Sequence, residues 1–341
     1  MRQEQEPATL RVDEVGPGVL RVQLPLDIPG LGHVNTYLFP DRRGVAVVDP
    51  GMAWRKSRKA LIHRLGLAGL RVSDIHTVLI THSHPDHFGA AAWLAEEAGA
   101  EVVTHAAFRL PWMADDCDAH IHDVDPDDAT EGNPHEGPTP WGGPQFRPKL
   151  RHRLRRRPAH PRPARRVRHG DVVRLADREW VAVHTPGHTL DHLCLADVDN
   201  GLLISGDHLL PTITPHISGL GTGRDPLASF MASLDRILDL GSVHTALPAH
   251  GHPFDGLGER VNALKRHHGR RLDALRRALS PGREATVGEL TAELFPAPHV
   301  SPLAESEVYA HLQHLCRQGV VHERRHGDVL LYRAMSEPPD G

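Results

Sequence analysis

The alternation of hydrophobic and polar residues predicts short strands and helices along most of the chain. The apolar runs GVLRVQLPL, NTYLF and GVAVVDPG indicate successive strands that end in turns. A helix is predicted around residues 55–65, and a buried strand, HTVLIT, follows and ends at Thr81. An Ala-rich helix, FGAAAWLAEEAG, and a strand, EVVTH, come next. Strands that alternate with helices through short loops predict an α/β layered domain.

The pattern continues with two predicted hairpins. DVVRLADREWVAVHTPG turns near Ala176 and Asp177, and HLCLADVDNGLLISGDH turns at residues 199–201. Helices are then predicted over PLASFMASLDRILDL and over about residues 258–279, on either side of a short strand, VHTALPAHG. We assign all of this, residues 1–262, to one large domain.

Residues 263–335 are predicted to form a small second domain. ATVGELTAELF and AESEVYAHLQHLCRQG are amphipathic helices, and VVHERRHGDVLLYRA is a hairpin with its tip at residues 326–328. Helices followed by such a hairpin are the winged-helix pattern. Nucleic-acid binding and a packing or dimerisation role both remain open. The second helix carries Arg317 against Glu305 and Glu307, which favours the packing role.

An irregular charged insertion is predicted at about residues 115–168. Residues 115–136 contain acidic side chains and no Lys or Arg, whereas about half of residues 147–168 are Lys or Arg. The basic half permits a phosphate-binding or RNA-binding strip. A solvated insertion is favoured, because proline-rich stretches with few apolar residues cannot build a core.

Composition excludes several classes of protein. The formal net charge is -4, so no global field favours nucleic acid or an anionic membrane. The start, MRQEQEPATL, has no apolar leader, and no apolar run reaches the roughly 18 residues of a membrane span. The three cysteines show no C-x-x-C spacing, which argues against a disulfide framework or a zinc finger. We expect a soluble cytoplasmic protein.

Candidate chemistry is concentrated in the stretch THSHPDHFGA. Alternate residues of an extended segment share a face, so His82 and His84 can converge on one ion. Asp86 and His87 follow near a predicted helix start and can reach a second ion. The chain has 28 histidines, so this stretch alone does not distinguish a metal site from a compositional accident.

Three further strand ends carry side chains that bind metals. His188 lies in the turn of HTPGHTLDH, Asp207 lies in SGDH at the end of the next strand, and His250 lies in ALPAHGH at the end of another. Strand ends of this kind meet at one edge of a sheet sandwich. The sequence therefore predicts a metal site assembled from four separate segments.

These motifs resemble the metallo-β-lactamase-fold hydrolase superfamily. HxHxDH, GHT, GD and a histidine before a glycine occur in that order over residues 33–252. The resemblance implies an αββα sandwich with a binuclear metal site on one edge. One departure is LPAHG, where Ala249 replaces the usual glycine of LPGHG.

The resemblance also implies a role for each candidate residue. His82, His84 and His188 would hold the first ion, Asp207 would bridge, and the second ion would be held by Asp86, His87 and His250. Two such ions lower the pKa of a bridging water toward neutrality. Asp86 is the expected catalytic residue, which orients the hydroxide and accepts its proton. Zinc suits these ligands, and iron or manganese also fits.

Within the superfamily the chain looks most like the glyoxalase II-like branch with a C-terminal winged helix. True β-lactamases of this fold lack the bridging aspartate, and di-iron relatives carry an acid in place of His84. HVNTYLF and VVDPG also match this branch. The expected reaction is hydrolysis of a thioester or related acyl ester by the metal-bridging hydroxide, with a small-molecule acyl substrate as partner. An endoribonuclease acting on RNA, a lactone hydrolase and a non-catalytic regulator remain as alternatives, and a homodimer stays open.

Five residues are candidates for substrate contact or for support of the ligands. His208 and His216 follow Asp207 in a loop that would overhang the metals. His184 and His192 flank His188, where support is favoured over direct ligation. Asp49 would brace the metal loops from behind. We interpret the remaining histidines, among them His33, His76 and His105, as background.

Overall fold

The computed structural model describes residues 2–110, 139–142 and 160–335 of the chain. Most of the predicted insertion at residues 115–168 therefore lies outside the described residues. In the described part, two large sheets, a small third sheet and seven α-helices position the candidate site. Short 3-10 helices cover Gln3–Gln5, Val72–Asp74 and Ala297–His299.

The first sheet has seven strands that neighbour one another in chain order. They are β1 (Val12–Gly16), β2 (Val19–Ile28), β3 (Leu31–Asp41), β4 (Gly44–Val48), β5 (Ile75–Leu79), β6 (Glu101–His105) and β7 (Arg165–Val167). Strands β1 to β4 pair antiparallel, and β4 to β7 pair parallel. Parallel strands require crossovers. Helix α1 (Arg55–Leu67) provides the first of these, and α2 (Pro85–Phe88) and α3 (Ala91–Ala98) lie in the second.

The second sheet has six strands, in the order β13-β12-β11-β10-β9-β8. They are β8 (Val172–Leu175), β9 (Arg178–His184), β10 (Leu193–Asp197), β11 (Leu202–Gly206), β12 (Thr245–Pro248) and β13 (Phe254–Asp255). The predicted hairpins are confirmed as β8–β9 and β10–β11. Ala176 and Asp177 both have positive φ, as a tight two-residue hairpin turn requires.

Three apolar clusters arrange these sheets into four layers. Tyr37, Phe39 and Trp180 belong to the cluster between the sheets, where the Phe39 and Trp180 rings meet edge to face with centroids 5.4 Å apart. A second cluster packs α1 and α3 on the outer face of the first sheet. A third packs α4 (Pro226–Leu238) and α5 (Leu257–Ala278) on the outer face of the second sheet. The described elements form an αββα sandwich.

The predicted Ala-rich helix is wrong as one continuous element, because it divides between α2 and α3 at Gly89. A Cβ on Gly89 would lie 2.4 Å from the Pro85 carbonyl oxygen and 2.5 Å from the Ala53 nitrogen. The backbone of residues 52–53 thus passes too close for any side chain. The Ala90 N–H leaves the helical pattern and bonds to the Gly51 carbonyl at 2.9 Å.

The irregular insertion predicted at residues 115–168 also needs correction at two described places. Residues 165–167 form β7 and extend the parallel half of the first sheet. Trp141 is buried among C-terminal apolar residues and donates its indole N–H to Glu305 at 3.1 Å. Both segments contribute to the packed structure instead of lying on a solvated surface.

The C-terminal elements form a helical layer with a three-stranded antiparallel sheet. They are β14 (Glu284–Thr286), α6 (Val287–Leu294), α7 (Pro302–Arg317), β15 (Val321–His326) and β16 (Val329–Ala334). Thr286 caps α6 in a capping box with Glu289. The domain boundary predicted at residue 262 falls inside α5, which runs unbroken from the second sheet into this part of the chain.

Among the helices that the structure describes, none combines the length and hydropathy required to cross a membrane.

Candidate metal centre

The predicted metal ligands converge at one edge of the sandwich. His82 and His84 follow β5, Asp86 and His87 lie on the short helix α2, and His188, Asp207 and His250 follow β9, β11 and β12. Both sheets therefore contribute. The candidate ligand atoms fall into two groups, each with its members within 4.8 Å of one another.

The first group contains His82, His84 and His188. The Nε2 atoms of His82 and His188 lie 2.9 Å and 3.0 Å from Nδ1 of His84. The other ring nitrogen of His188 donates to the His216 carbonyl at 2.7 Å, which leaves an unshared electron pair on its Nε2. At least two electron pairs therefore face one point, an arrangement that a cation would stabilise.

A similar series of hydrogen bonds fixes the tautomer of His82. The Thr81 hydroxyl donates to Asp49 at 2.7 Å, so its oxygen accepts from Nδ1 of His82 at 3.0 Å. A hydroxyl has a single proton, and the direction of both bonds follows from this. The Nε2 of His82 is then left as an acceptor that faces the same point as Nε2 of His188.

The second group contains Asp86, His87 and His250. Nδ1 of His87 donates to Asp49 at 2.8 Å, and Nδ1 of His250 donates to the His33 carbonyl at 2.7 Å. Both Nε2 atoms are buried without a hydrogen-bond partner in the described part of the chain, and each lies 3.6 Å from the Asp86 carboxylate. Buried polar atoms are rarely left unpaired, so these orphaned nitrogens fit a bound cation.

Asp207 lies between the two groups. Its carboxylate is 3.4 Å from Nε2 of His188 and 3.3 Å from Nε2 of His250. The same carboxylate reaches Nε2 of His82 at 3.9 Å and that of His87 at 3.7 Å. Among the described residues, one of its oxygens has no hydrogen-bond partner. The carboxylate thus lies beside the inner nitrogens of both groups.

The electrostatics of the site favour positive charge at the second group. Burial opposes protonation of His87, but Asp86, Asp207 and Asp49 outweigh it and raise the pKa of His87 to about 10. Burial, with His87 and His84 adding to it, instead lowers the pKa of His82 well below its ordinary value. Burial would raise the pKa of Asp207, but His250 and His87 hold this pKa well below its usual range. Divalent metals bind charged carboxylates and neutral imidazoles, so an ion at the second group would replace the proton that His87 carries at neutral pH.

Asp49 and His192 support the site from behind. Both carboxylate oxygens of Asp49 are used, by the Thr81 N–H at 2.9 Å, by the Thr81 hydroxyl and by His87. His192 accepts the backbone N–H of Asp207 at 3.0 Å. Gly206, with φ of 50°, permits this contact, because a Cβ there would lie 2.6 Å from Nε2 of His192.

The other secondary candidates lie at different places. His208 is fully buried, with its ring 4.9 Å from that of Phe230, and its contact with a substrate stays a prediction. His184 stacks on His105 with centroids 3.9 Å apart and takes no part in the two groups. His216 does lie beside the first group, but it contacts this group through its backbone carbonyl.

Sequence analysis missed two residues that position candidate ligands, His33 and Asp191. Interpreting His33 as background is wrong, because its carbonyl orients His250 and its ring accepts the Gly251 N–H at 3.1 Å. Asp191 accepts from the Ser83 hydroxyl at 2.9 Å and thereby holds the loop between His82 and His84. The run HVNTYLF marks the segment of His33, but the sequence holds no sign of the Ser83–Asp191 bond.

A sandwich of two sheets with such a cluster at its edge defines a class of metal-dependent hydrolases. Comparison with known proteins identifies the family, because the profile of the Metallo-beta-lactamase superfamily matches residues 29–277. The chain belongs to this superfamily.

Three similar proteins extend this result. The chain is 23% identical to "Probable metallo-hydrolase YqjP" of Bacillus subtilis, over 93% of this chain and 98% of that protein. It is 27% identical to the "Atrochrysone carboxyl ACP thioesterase" of Passalora fulva, over 83% of this chain and 70% of that protein. A solved structure of a metallo-beta-lactamase family protein from Thermus thermophilus superposes with a TM-score of 0.76 at 29% identity, covering 94% of this chain and 100% of that one.

Proposed function

We propose that this chain is a binuclear metal-dependent hydrolase that cleaves a thioester or a related acyl ester, in the manner of the glyoxalase II-like branch. The observation that carries the proposal is the place of Asp207, whose carboxylate lies within 3.9 Å of imidazole nitrogens of both groups. A carboxylate shared in this way calls for two cations side by side.

The donor set fits two divalent ions, with zinc as the first choice and iron or manganese as alternatives. One ion would be held by His82, His84 and His188, and the other by Asp86, His87 and His250. Asp207 would be a ligand of both ions. When bound, such ions supply Lewis acidity and a water whose pKa is lowered toward neutrality.

The chain's own residues prepare this chemistry. Asp49 and the carbonyl groups of His33 and His216 hold protons on the nitrogens that face away from the site, so that the inner nitrogens stay free. Asp86 would accept the proton released when water attacks the acyl carbon. The bond from the acyl carbon to sulfur then breaks, and the proton passes from Asp86 to the leaving thiolate. The products are a carboxylic acid and a thiol.

Two observations narrow the class of substrate. A relative that covers most of the chain is named a thioesterase. Asp207, as a bridging carboxylate, separates this site from that of true β-lactamases.

We propose further that the C-terminal elements are a winged helix that serves for packing and does not bind RNA. Within α7, only Pro302, Leu303 and Arg317 are exposed. Arg317 donates to the Arg224 carbonyl at 2.9 Å, and His314 contacts Asp225 at 2.9 Å. The helix that would read nucleic acid thus lies against the hydrolase part of the chain.

A substrate screen tests the reaction. Protein loaded with zinc, manganese or iron would be incubated with acyl-coenzyme A, acyl-carrier-protein and glutathione thioesters, with lactones and with single-stranded RNA. We expect release of free thiol from at least one thioester class and no cleavage of RNA. Cleavage of RNA without thiol release would replace the proposal with the ribonuclease.

Replacement of the bridging residue tests the site. We expect Asp207→Ala to lose at least one of about two ions per chain, together with hydrolysis, because two cations would lose their shared anion. Elemental analysis of dialysed protein gives the metal content. Asp255→Ala, a change of the same kind at an exposed position of β13, should retain both ions. Full activity in metal-free protein would refute the proposal.

A further inference from the structure

A single loop connects the first group to the C-terminal helix α7. We call residues 209–224, which lie between Asp207 and α4, the strap. Its central residue His216 accepts the Nδ1 proton of His188 on its backbone carbonyl at 2.7 Å. The position of the strap therefore determines which nitrogen of His188 faces the site.

The strap is fixed to α7 through two neighbouring residues. The Gly219 N–H donates to the carbonyl and to the hydroxyl of Ser306, both at 3.3 Å, and the hydroxyls of Ser306 and Ser218 lie 3.0 Å apart. Glu307 places a carboxylate oxygen 3.8 Å from Nδ1 of His216. The two anchors therefore hold the strap on both sides of Ile217, which is fully buried.

The geometry leaves little room for the strap to move on α7. A Cβ on Gly219 would lie 2.5 Å from the Tyr309 ring and 3.1 Å from the Ala310 nitrogen. Glu307 is itself held by an ion pair with Arg271 of α5. Displacement of α7 would carry the His216 carbonyl with it.

A separate anchor holds the other end of the strap. Glu4, which is fully buried, accepts the N–H groups of Thr212 and Ile213 at 2.8 Å and 3.1 Å. Arg260 donates to the Leu210 carbonyl at 2.6 Å. The strap is thus held near its start by Glu4 and Arg260, and its central part around His216 depends on α7.

We propose that Ser306 and Glu307 are positioning residues for the first metal group, so that α7 completes the active site. They act through the strap, which holds His188 in the tautomer and orientation that leave Nε2 free. The inference rests on the proposed metal site, but not on the substrate. In this proposal, the C-terminal part of the chain contributes to hydrolysis. This role is independent of any binding of nucleic acid.

The same region admits a rival interpretation as a third metal site. Nitrogens of His267 and His268 and an oxygen of Glu307 lie within 4.8 Å of one another, and one nitrogen of His268 has no hydrogen-bond partner among the residues that the structure describes. However, Arg271 already neutralises Glu307, and a divalent ion there would add charge beside a guanidinium. We therefore assign Glu307 to positioning and include the third ion as an outcome of the test.

The test measures metal affinity separately for each group. His87→Ala disables the second group and His84→Ala the first, so each background retains one site. The combined change Ser306→Ala and Glu307→Gln is introduced into both full-length backgrounds, and zinc affinity is measured by competition with a chelator. We expect about tenfold weaker binding in the His87→Ala background, as for other residues that orient a ligand from behind. No change is expected in the His84→Ala background.

Two further variants keep the result interpretable. Glu305→Gln makes the same chemical change on the same helix, where the side chain contacts Trp141 instead of the strap, and should leave both affinities unaltered. Ser306→Ala alone, a smaller change, should weaken only the first site and serves if the combined variant does not fold. Equal weakening in both backgrounds, unchanged affinity in both, or a third ion lost with Glu307→Gln would each overturn the proposal. Wild-type protein that binds no metal would instead refute the proposed function.

Discussion

At the scale of single residues, the site contains four imidazoles whose Nδ1 atoms are engaged by groups outside the cluster. Asp49, the Thr81 hydroxyl and the carbonyls of His33 and His216 each engage Nδ1 of a different histidine. In the neutral imidazole, every such contact leaves Nε2 as an acceptor inside the cluster. Hydrogen bonds outside the cluster therefore decide whether it can bind a cation.

Asp49→Asn tests this dependence. An amide nitrogen would face the proton on Nδ1 of His87, so the ring would change tautomer and lose its inner electron pair. We expect metal affinity at the second group to fall about 10-fold to 100-fold, measured by chelator competition. Asp41→Asn is the matched control, because Asp41 contacts the ring of His76 at 3.1 Å and neither residue belongs to the two groups. Equal metal affinity in both variants would contradict the assignment.

At the scale of elements, α5 and α7 meet through buried histidines. Nδ1 of His268 lies 3.1 Å from Nε2 of His311, and Nδ1 of His311 donates to the Glu307 carbonyl at 2.7 Å. Burial lowers the pKa of His268 to about 3 and that of His311 to about 4. Both imidazoles are therefore neutral at neutral pH in the folded protein.

This contact should make stability depend on pH. Below the unfolded pKa of about 6.5, the unfolded chain binds a proton on His311 that the folded chain excludes until about pH 4. The contribution of neutral His311 to the free energy of unfolding is therefore complete above pH 6.5. It falls as pH decreases, by up to about 1.4 kcal/mol per pH unit.

His311→Gln isolates this effect, since glutamine does not titrate. Denaturant unfolding of metal-free protein at pH 7.5 and pH 5.0 would give the difference in free energy between wild type and variant. We expect wild type to lose about 1–2 kcal/mol more than the variant between these two values. A difference that stays constant with pH would show that His311 is not buried in neutral form.

At the scale of the whole molecule, the candidate site connects the two sheets. Asp86 and His87 follow the first sheet, whereas His188, Asp207 and His250 follow the second. Ions bound between them would cross-link the two halves of the sandwich. Metal binding should therefore contribute to the stability of the entire domain.

Removal of the metal tests this coupling. Calorimetry of chelator-stripped and zinc-loaded protein should show a lower unfolding temperature after stripping. An ion at a hundredfold excess over its Kd stabilises the folded state by about 2.7 kcal/mol. Asp207→Ala should show a smaller difference between the two conditions. Identical unfolding temperatures in wild type would mean that no ion connects the sheets.

The sequence by itself determined most of the strands, most of the helices and the positions of the candidate ligands. Periodicity along a strand and turn residues at its end are local properties, which is why the ends that carry His82, Asp207 and His250 could be identified. The break at Gly89 escaped prediction because it depends on the backbone of residues 52–53, which approaches only in the folded chain.

Only the tertiary structure decided what surrounds those ligands. Asp49 lies 38 residues from His87, and His33 lies 217 residues from His250. No spacing rule connects such pairs, because their contacts arise from the stacking of two sheets and the packing of α7 on the strap. Tautomers, burial and the role of the C-terminal helix follow from these distant contacts. The residue types and their order along the chain were sufficient to predict a metal site, but not what holds it in place.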